Sequence, residues 1–306
     1  MKFLILIQKA WRIYISFTID KVINTLIWLF TPKDKVIVLN VWLWHRGKKV
    51  RSHNLGDDLN YAVVSYLSKK RIVNYKYSYI SLFKPRNYMC IGSITDYLTN
   101  EESIIWGSGF LRGNKNNPIK KPKEVLAVRG PLTREYLLSQ GISCPEIYGD
   151  PVLLLPMVYP IKEKVKKYKI GLIPHYKDYE LENVRQFKKT FGDDVLIISM
   201  EFYEKWQDVI DQINECELIA SSSLHGLIIS DAYGIPNAWV KLSDNNSGKD
   251  MKFPDYFQSC GRKQLNAIDF TEKAIDYDII KQESLKYSFS NVNIDKLLEV
   301  CPFYQK

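Results

Sequence analysis

Two short stretches concentrate the residue types that can do chemistry. In the first, IASSSLHGLIISDAYGIPNAW from Ile219, His225 follows Ser221, Ser222 and Ser223 between an apolar run and a small-residue pattern. Leu218–Ala220 read as the end of a buried strand, and Leu224–Tyr233 as a helix stopped by Gly234-Ile235-Pro236. His225 is therefore expected in the first turn of a helix leaving the C-terminal end of a parallel strand, where open α/β sheets hold ligands. Free N–H groups at such a helix start bind phosphate or carboxylate. The serines would add hydroxyl donors, one of them as the N-cap, and the imidazole could give a proton to the bound group.

The second stretch is His53-Asn54-Leu55-Gly56-Asp57-Asp58, in the loop after the first predicted strand. One aspartate fits a helix N-cap, where its charge offsets the dipole. The other could accept a proton from a substrate hydroxyl. His53 reads as a loop residue.

Several other positions have both a chemical and a structural reading. Trp106-Gly-Ser-Gly-Phe-Leu-Arg-Gly113 misses the dinucleotide-binding glycine spacing by one position and reads as a strand-to-helix turn lining a cleft. Arg129, in ArgGlyProLeuThrArg ending at Arg134, opens a helix, where a cation opposes the dipole. It calls for a bound anion or for a carboxylate partner, Glu135 or Asp150. Tyr148-Gly149-Asp150-Pro151 is a turn in which Asp150 is structural or pairs with Arg129. His175, alone after the strand KIGLIP, reads first as structural.

The elements that must position these residues alternate along the chain. VIVLNVWLW from Val36, Tyr88–Gly92, Ser103–Trp106 and Val125–Val128 read as strands, with helices at YAVVSYLSKK and at Pro131–Gly141. Met157–Lys169 is basic, contains proline and reads as a linker. A second alternation then runs KIGLIPH, ENVRQFKKTFG, DVLIISM, EKWQDVIDQINEC, ELIASSS and LHGLIISDAYG. The expected fold is α/β, with two Rossmann-like domains facing a cleft, residues 31–160 and 161–306, after an N-terminal amphipathic helix at 1–30.

That helix segment is strongly apolar, but Lys2, Lys9, Arg12 and Asp20 interrupt it, which excludes a membrane span. It also lacks the features of a signal peptide. With Ser16 those charges share one stripe, so the segment either lies on an anionic membrane or packs on the body or an oligomer interface.

With 46% hydrophobic and 25% charged residues the chain is a folded protein, not a disordered one. The net charge of +9 points to an anionic partner. Basic residues are dispersed and no reader motif occurs, so nucleic acid is not expected. Five scattered cysteines without CxxC spacing imply reduced thiols rather than disulfides or zinc.

Taken together, NLGDDLN at 54, VRGPLTREYLLSQGI at 128, YGDPVLLLP at 148, IGLIPHYKD at 170 and SSSLHGLIISDAYGIP at 221 resemble the polysaccharide pyruvyltransferase family, in the family's order. The resemblance implies a fold similar to the two-domain GT-B glycosyltransferases. It implies transfer of the enolpyruvyl unit of phosphoenolpyruvate, as a ketal, to two hydroxyls of a sugar in a surface polysaccharide or its lipid-linked precursor. By resemblance, His225 would be the general acid and Asp57 the base or acceptor ligand. Arg129, Arg134, Ser221, Ser222, Ser223, Gly226 and Lys252 would hold the donor, and Asn54, Asp58 and His175 the acceptor. No cofactor and no metal is implied. The setting would be cytoplasmic, on the inner face of a membrane, with an oligomer allowed.

One departure matters. The family motif carries arginine where this chain has Ser223, so a cation is missing unless Lys241, Lys249 or Lys252 replaces it. The rival expectations are a GT-B-type glycosyltransferase using a nucleotide sugar and a non-catalytic glycan-binding protein.

Overall fold

Short apolar strands, each followed by a helix, can bury both strand faces only by forming parallel sheets with helices on either side. The computed structural model, which describes residues 18–42, 54–113, 118–162, 165–244, 249–264, 266–287 and 293–304, contains two such sheets. The first lobe runs β1 (Val36–Leu39), α2 (Leu55–Ser68), β2 (Arg71–Asn74), β3 (Asn87–Met89), α3 (Thr95–Leu98), β4 (Ser103–Trp106), β5 (Glu124–Ala127) and α4 (Pro131–Ser139). A helix whose described part is residues 18–30, here α1, precedes it. After α5 (Leu155–Val158) the second lobe runs β6 (Tyr168–Ile173), α6 (Glu182–Phe191), β7 (Val195–Ile197), α7 (Trp206–Asn214), β8 (Cys216–Ser221) and α8 (Leu224–Ala232). It continues through β9 (Asn237–Lys241), α9 (Lys249–Ser259), β10 (Ile268–Asp269) and α10 (Tyr277–Ser284), and α11 (Ile294–Glu299) follows.

Every strand pairing is parallel. The sheets share one plan: β2-β1-β3-β4-β5 in the first and, read from its far edge, β7-β6-β8-β9-β10 in the second. In each the strand order reverses once, between β1 and β3 and between β6 and β8. That reversal sends successive connections to opposite faces and leaves a crevice beyond the strand C-termini.

Two sequence-based expectations change. The first strand stops at Leu39; the Asn40 N–H still donates to the Tyr88 carbonyl of β3, and its side-chain amide donates to the Leu98 carbonyl. The boundary at 161–306 assigns too much to the second lobe. Trp106 of β4 donates its indole N–H to the Leu297 carbonyl at 2.9 Å and packs edge-on to Phe303, so α11 and the residues after it cover the first sheet. The charged stripe read over Lys2 to Asp20 lies outside the described residues except for Asp20. The described part of α1 packs on the first lobe through Asn24, Thr25, Ile27 and Trp28.

The lobes share one core. A contiguous apolar cluster runs from Ile37 and Leu59 of the first to Ile210 and Leu227 of the second. Polar ties reinforce it: the Leu55 N–H donates to the Met200 carbonyl at 3.0 Å, and the Tyr203 hydroxyl to Asp58 Oδ2 at 2.7 Å.

Candidate functional site

The two crevices open into one cavity of about 420 Å³ between the lobes, within the usual range for small-molecule sites. Its lining comes from residues that follow strand C-termini. Trp42, Asn54 and Asp57 follow β1, Ser93 and Tyr97 follow β3, and Leu111 follows β4. On the other side His175 and Tyr176 follow β6, Met200 and Glu201 follow β7, Ser223 and His225 follow β8, and Lys252 follows β9.

His225 enters from the first turn of α8, as its sequence setting predicts. It fits because position 56 is glycine: a Cβ there would lie 2.0 Å from the imidazole Nδ1. The helix of one lobe thus presses its histidine against the backbone of the other, one residue from Asp57. On the far side His225 Nε2 lies 3.8 Å from Asp150 Oδ2. Asp150 is fully buried, and its other oxygen accepts the Val152 N–H at 3.0 Å, which fixes the carboxylate. It does not pair with Arg129.

Asp57 is buried in the first turn of α2, with Oδ1 positioned over Gly92. Gly92 has φ +114°, a conformation that side-chain-bearing residues rarely adopt. Tyr97 is about half exposed, yet its hydroxyl is pushed well above its ordinary range by desolvation first and by the Asp57 carboxylate second, so it stays a neutral donor. The N-cap of α2 is Asn54, without a side-chain cap bond, so neither aspartate serves as the cap.

Among the described residues Lys252 is the lysine that lines the cavity. Desolvation first, and Arg129 second, lower its pKa to about 8. Lys241 instead pairs with Asp244 and Asp269 outside the cavity, and the Lys249 side chain lies outside the described residues. His175 is lowered to about 4 by burial, then by Lys252 and Lys177, and is neutral at physiological pH.

Other predicted ligands stand behind the cavity wall. Arg129 is 1% exposed; its Nε donates to Asp255 Oδ2 at 3.0 Å, Nη1 to Ser93 Oγ at 2.6 Å and Nη2 to the Phe110 carbonyl at 2.7 Å. Of the two sequence readings, the buried carboxylate partner is the one found, but it is Asp255 on α9, from the other lobe. Arg134 is bound by Glu146 and the Cys144 carbonyl, away from the cavity lining. Ser221 bonds the Ser223 backbone and Ser222 accepts the His175 N–H, so their hydroxyls shape the loop. Gly226 is packed on Ser221 Oγ and Ile173. Ser223 lines the cavity at the N-cap position, yet its hydroxyl makes no cap bond. Asn54 and His175 line the cavity, whereas Asp58 is held by Tyr203. The Gly107–Gly109 turn does not line it either; Gly109 backs the Arg129 guanidinium. His53 lies outside the described residues.

Sequence reasoning missed Trp42, Ser93, Tyr97, Tyr176 and Glu201. Their only signal was position just after a strand, which carries no chemistry by itself. Trp42 and Tyr97 meet edge-on at 6.0 Å and form an aromatic wall suited to a sugar ring. Among the described residues no group of three or more His, Cys, Asp or Glu side chains could hold a metal, and the described cysteines are all buried and free.

Residues 54–244 match the family model described as polysaccharide pyruvyl transferase. An uncharacterized protein of Acanthamoeba polyphaga mimivirus is 30% identical over 215 residues, 69% of this chain and 72% of that protein. The succinoglycan biosynthesis protein ExoV of Rhizobium meliloti is 29% identical over 161 residues, 52% of this chain and 48% of its own. A crystal structure of an uncharacterized Klebsiella pneumoniae protein shares 15% identity at a TM-score of 0.43, covering 78% of this chain and 92% of that one.

Proposed function

The chain belongs to the polysaccharide pyruvyl transferase family and is a transferase, and from that premise we propose that it moves the enolpyruvyl unit of phosphoenolpyruvate onto a sugar as a ketal. The observation that supports this most is the convergence, in one cavity, of His225 from one lobe, Asp57 from the other and the half-buried cation Lys252. A two-lobed GT-B-like arrangement is part of the reading.

In this reading protonated His225 gives its proton to the methylene carbon of the donor, and positive charge develops at C2. Asp57 takes the proton of one sugar hydroxyl as its oxygen attacks C2. The second sugar hydroxyl then attacks the same carbon, the C2–O bond to phosphate breaks, and that hydroxyl's proton leaves with inorganic phosphate. The proton taken by Asp57 returns to His225, so one proton has ended on the new methyl group and one on phosphate, and the sum balances without a redox or metal cofactor. Lys252 takes over the charge that the family arginine would supply where this chain has Ser223. A half-buried lysine whose ammonium is already disfavoured by desolvation gains most from an anion. Trp42 and Tyr97 would stack on the acceptor, a glycan or lipid-linked oligosaccharide met in the cytoplasm at the inner face of a membrane.

Thermal stability with phosphoenolpyruvate and, separately, with nucleotide sugars tests the donor. A ligand at 100 times its Kd adds about 2.7 kcal/mol. A shift with phosphoenolpyruvate that Lys252→Met removes supports the reading. A shift with a nucleotide sugar alone would replace it with glycosyl transfer, the alternative that Ser223 favours.

A further inference from the structure

Helix α1 has its polarity inverted for a helix packed on a core. Its polar side chains face the protein: Asn24 Oδ1 accepts the Asn74 N–H at 3.2 Å and Thr25 Oγ1 accepts the Tyr79 N–H at 2.9 Å. Its apolar side chains Ile19, Val22, Ile23, Leu26, Leu29 and Phe30 are all exposed, Phe30 at 83%. Their spacing of three and four residues places them on one outward stripe. The stripe continues onto the neighbouring turn Ile80–Phe83, where Leu82 is 78% and Phe83 62% exposed. The Phe83 and Trp28 rings meet at 5.5 Å, joining helix and turn into one patch.

The rim of the patch is basic. Lys33 sits over the Trp28 ring at 3.5 Å and Lys21 over the Tyr79 ring at 5.6 Å. Lys35 and Lys84 are exposed beside them; among the described residues the exposed acids near this rim are Asp34 and, toward Lys84, Glu101. Aromatic rings with ammonium groups at their level, around an apolar stripe, match the order of a bilayer interface: acyl chains, then ring depth, then anionic headgroups.

We propose that α1 and the Leu82–Phe83 turn form the face by which this protein lies on an anionic lipid bilayer. Charge favours this occupant over a second copy. A two-fold interface sets the same patch against itself, which would bring the Lys21, Lys33, Lys35 and Lys84 rims together. An anionic surface neutralises them instead. The face serves the transfer reading by bringing the cleft to a lipid-linked acceptor, but it does not depend on it: bilayer binding is measured without any donor.

The test is flotation of the full chain with vesicles of phosphatidylcholine, alone or mixed with phosphatidylglycerol, and analytical ultracentrifugation without lipid. The variants are Leu82→Glu with Phe83→Glu and, separately, Leu26→Glu. All three positions are exposed, and unchanged thermal unfolding would show that the variants fold. The proposal expects binding to the anionic vesicles, weaker binding to the neutral ones, and a loss of about tenfold or more in each variant. Failure to bind anionic vesicles would overturn it, as would binding that neither variant weakens. Self-association that the variants abolish would also overturn it and make the face a contact between copies.

Discussion

His225 and Asp150 face each other across the lobe boundary without bonding. Nε2 and Oδ2 are 3.8 Å apart, and both atoms are buried with no hydrogen-bond partner among the described residues. That gap is too long for a hydrogen bond, but catalytic hydrogen bonds often tighten only once substrate is bound. A slight closure of the cleft would let Asp150 stabilise the imidazolium that the proposed protonation step needs.

Asp150→Asn keeps the oxygen that caps Val152 while removing the charge beside His225. The expected result is a fall in kcat of about tenfold or more with little change in donor KM or in unfolding temperature. His225→Ala should cost more, about 10²- to 10⁴-fold in turnover. Steady-state kinetics with phosphate release as readout separates the two. A fall in stability without a kcat effect would make Asp150 purely structural.

Gly56→Ala would ordinarily strengthen a helix by up to about 1 kcal/mol. Here the added Cβ would meet His225 Nδ1 at 2.0 Å. The variant should keep its fold and lose most activity, because the histidine must move. Retention of full turnover would show that the imidazole position is not critical.

Lys252 carries its charge in the free protein below a pKa of about 8 and loses it above. Affinity for an anionic donor should therefore decline as pH rises through 8. Lys252→Met should weaken binding about 10- to 100-fold at pH 7 and remove that pH dependence, the scale of a charged hydrogen bond. Calorimetric titration on either side of the Lys252 pKa of about 8 reads both.

His175 has its pKa depressed to about 4 by burial, against an ordinary 6.5. Between those values the unfolded chain binds a proton that the folded one refuses. The stability it contributes is complete above pH 6.5 and is lost as pH falls through 4. Unfolding temperatures across this window should fall less steeply for His175→Gln than for the native chain. Parallel curves would assign the acid sensitivity elsewhere.

Arg129 and Asp255 form a fully buried pair between the lobes at 3.0 Å. Thr133 also donates to Asp255, from its backbone N–H at 2.8 Å and its hydroxyl at 2.7 Å. Asp255→Ala leaves a buried guanidinium without its counter-charge and should cost about 3–5 kcal/mol. Chemical denaturation measures this directly.

Much of the fold was legible because strand and helix periodicities are local. β4 and α4 fall where the patterns place them, with Pro131 in the first turn and Gly141 at φ +71° just past the end. Local patterns could not show that Trp106 bonds to Leu297, 191 positions away, and so returns the C-terminal helix to the first lobe. Nor could they assign Asp255 to Arg129, since any nearby acid satisfies the sequence equally.

The site divides along the same line. Sequence alone determined the candidate chemistry, because His225 at a helix start and Asp57 after a glycine are each set by a strand-to-helix turn, a feature of a few neighbouring residues. It also exposed the missing arginine at Ser223. Which lysine lines the cavity, which arginine is locked behind it, and that Gly56 makes room for His225 were decided only by the tertiary structure. Those facts depend on how two sheets of the same strand order meet, and close packing between lobes is settled by the shapes and charges of residues far apart in the chain.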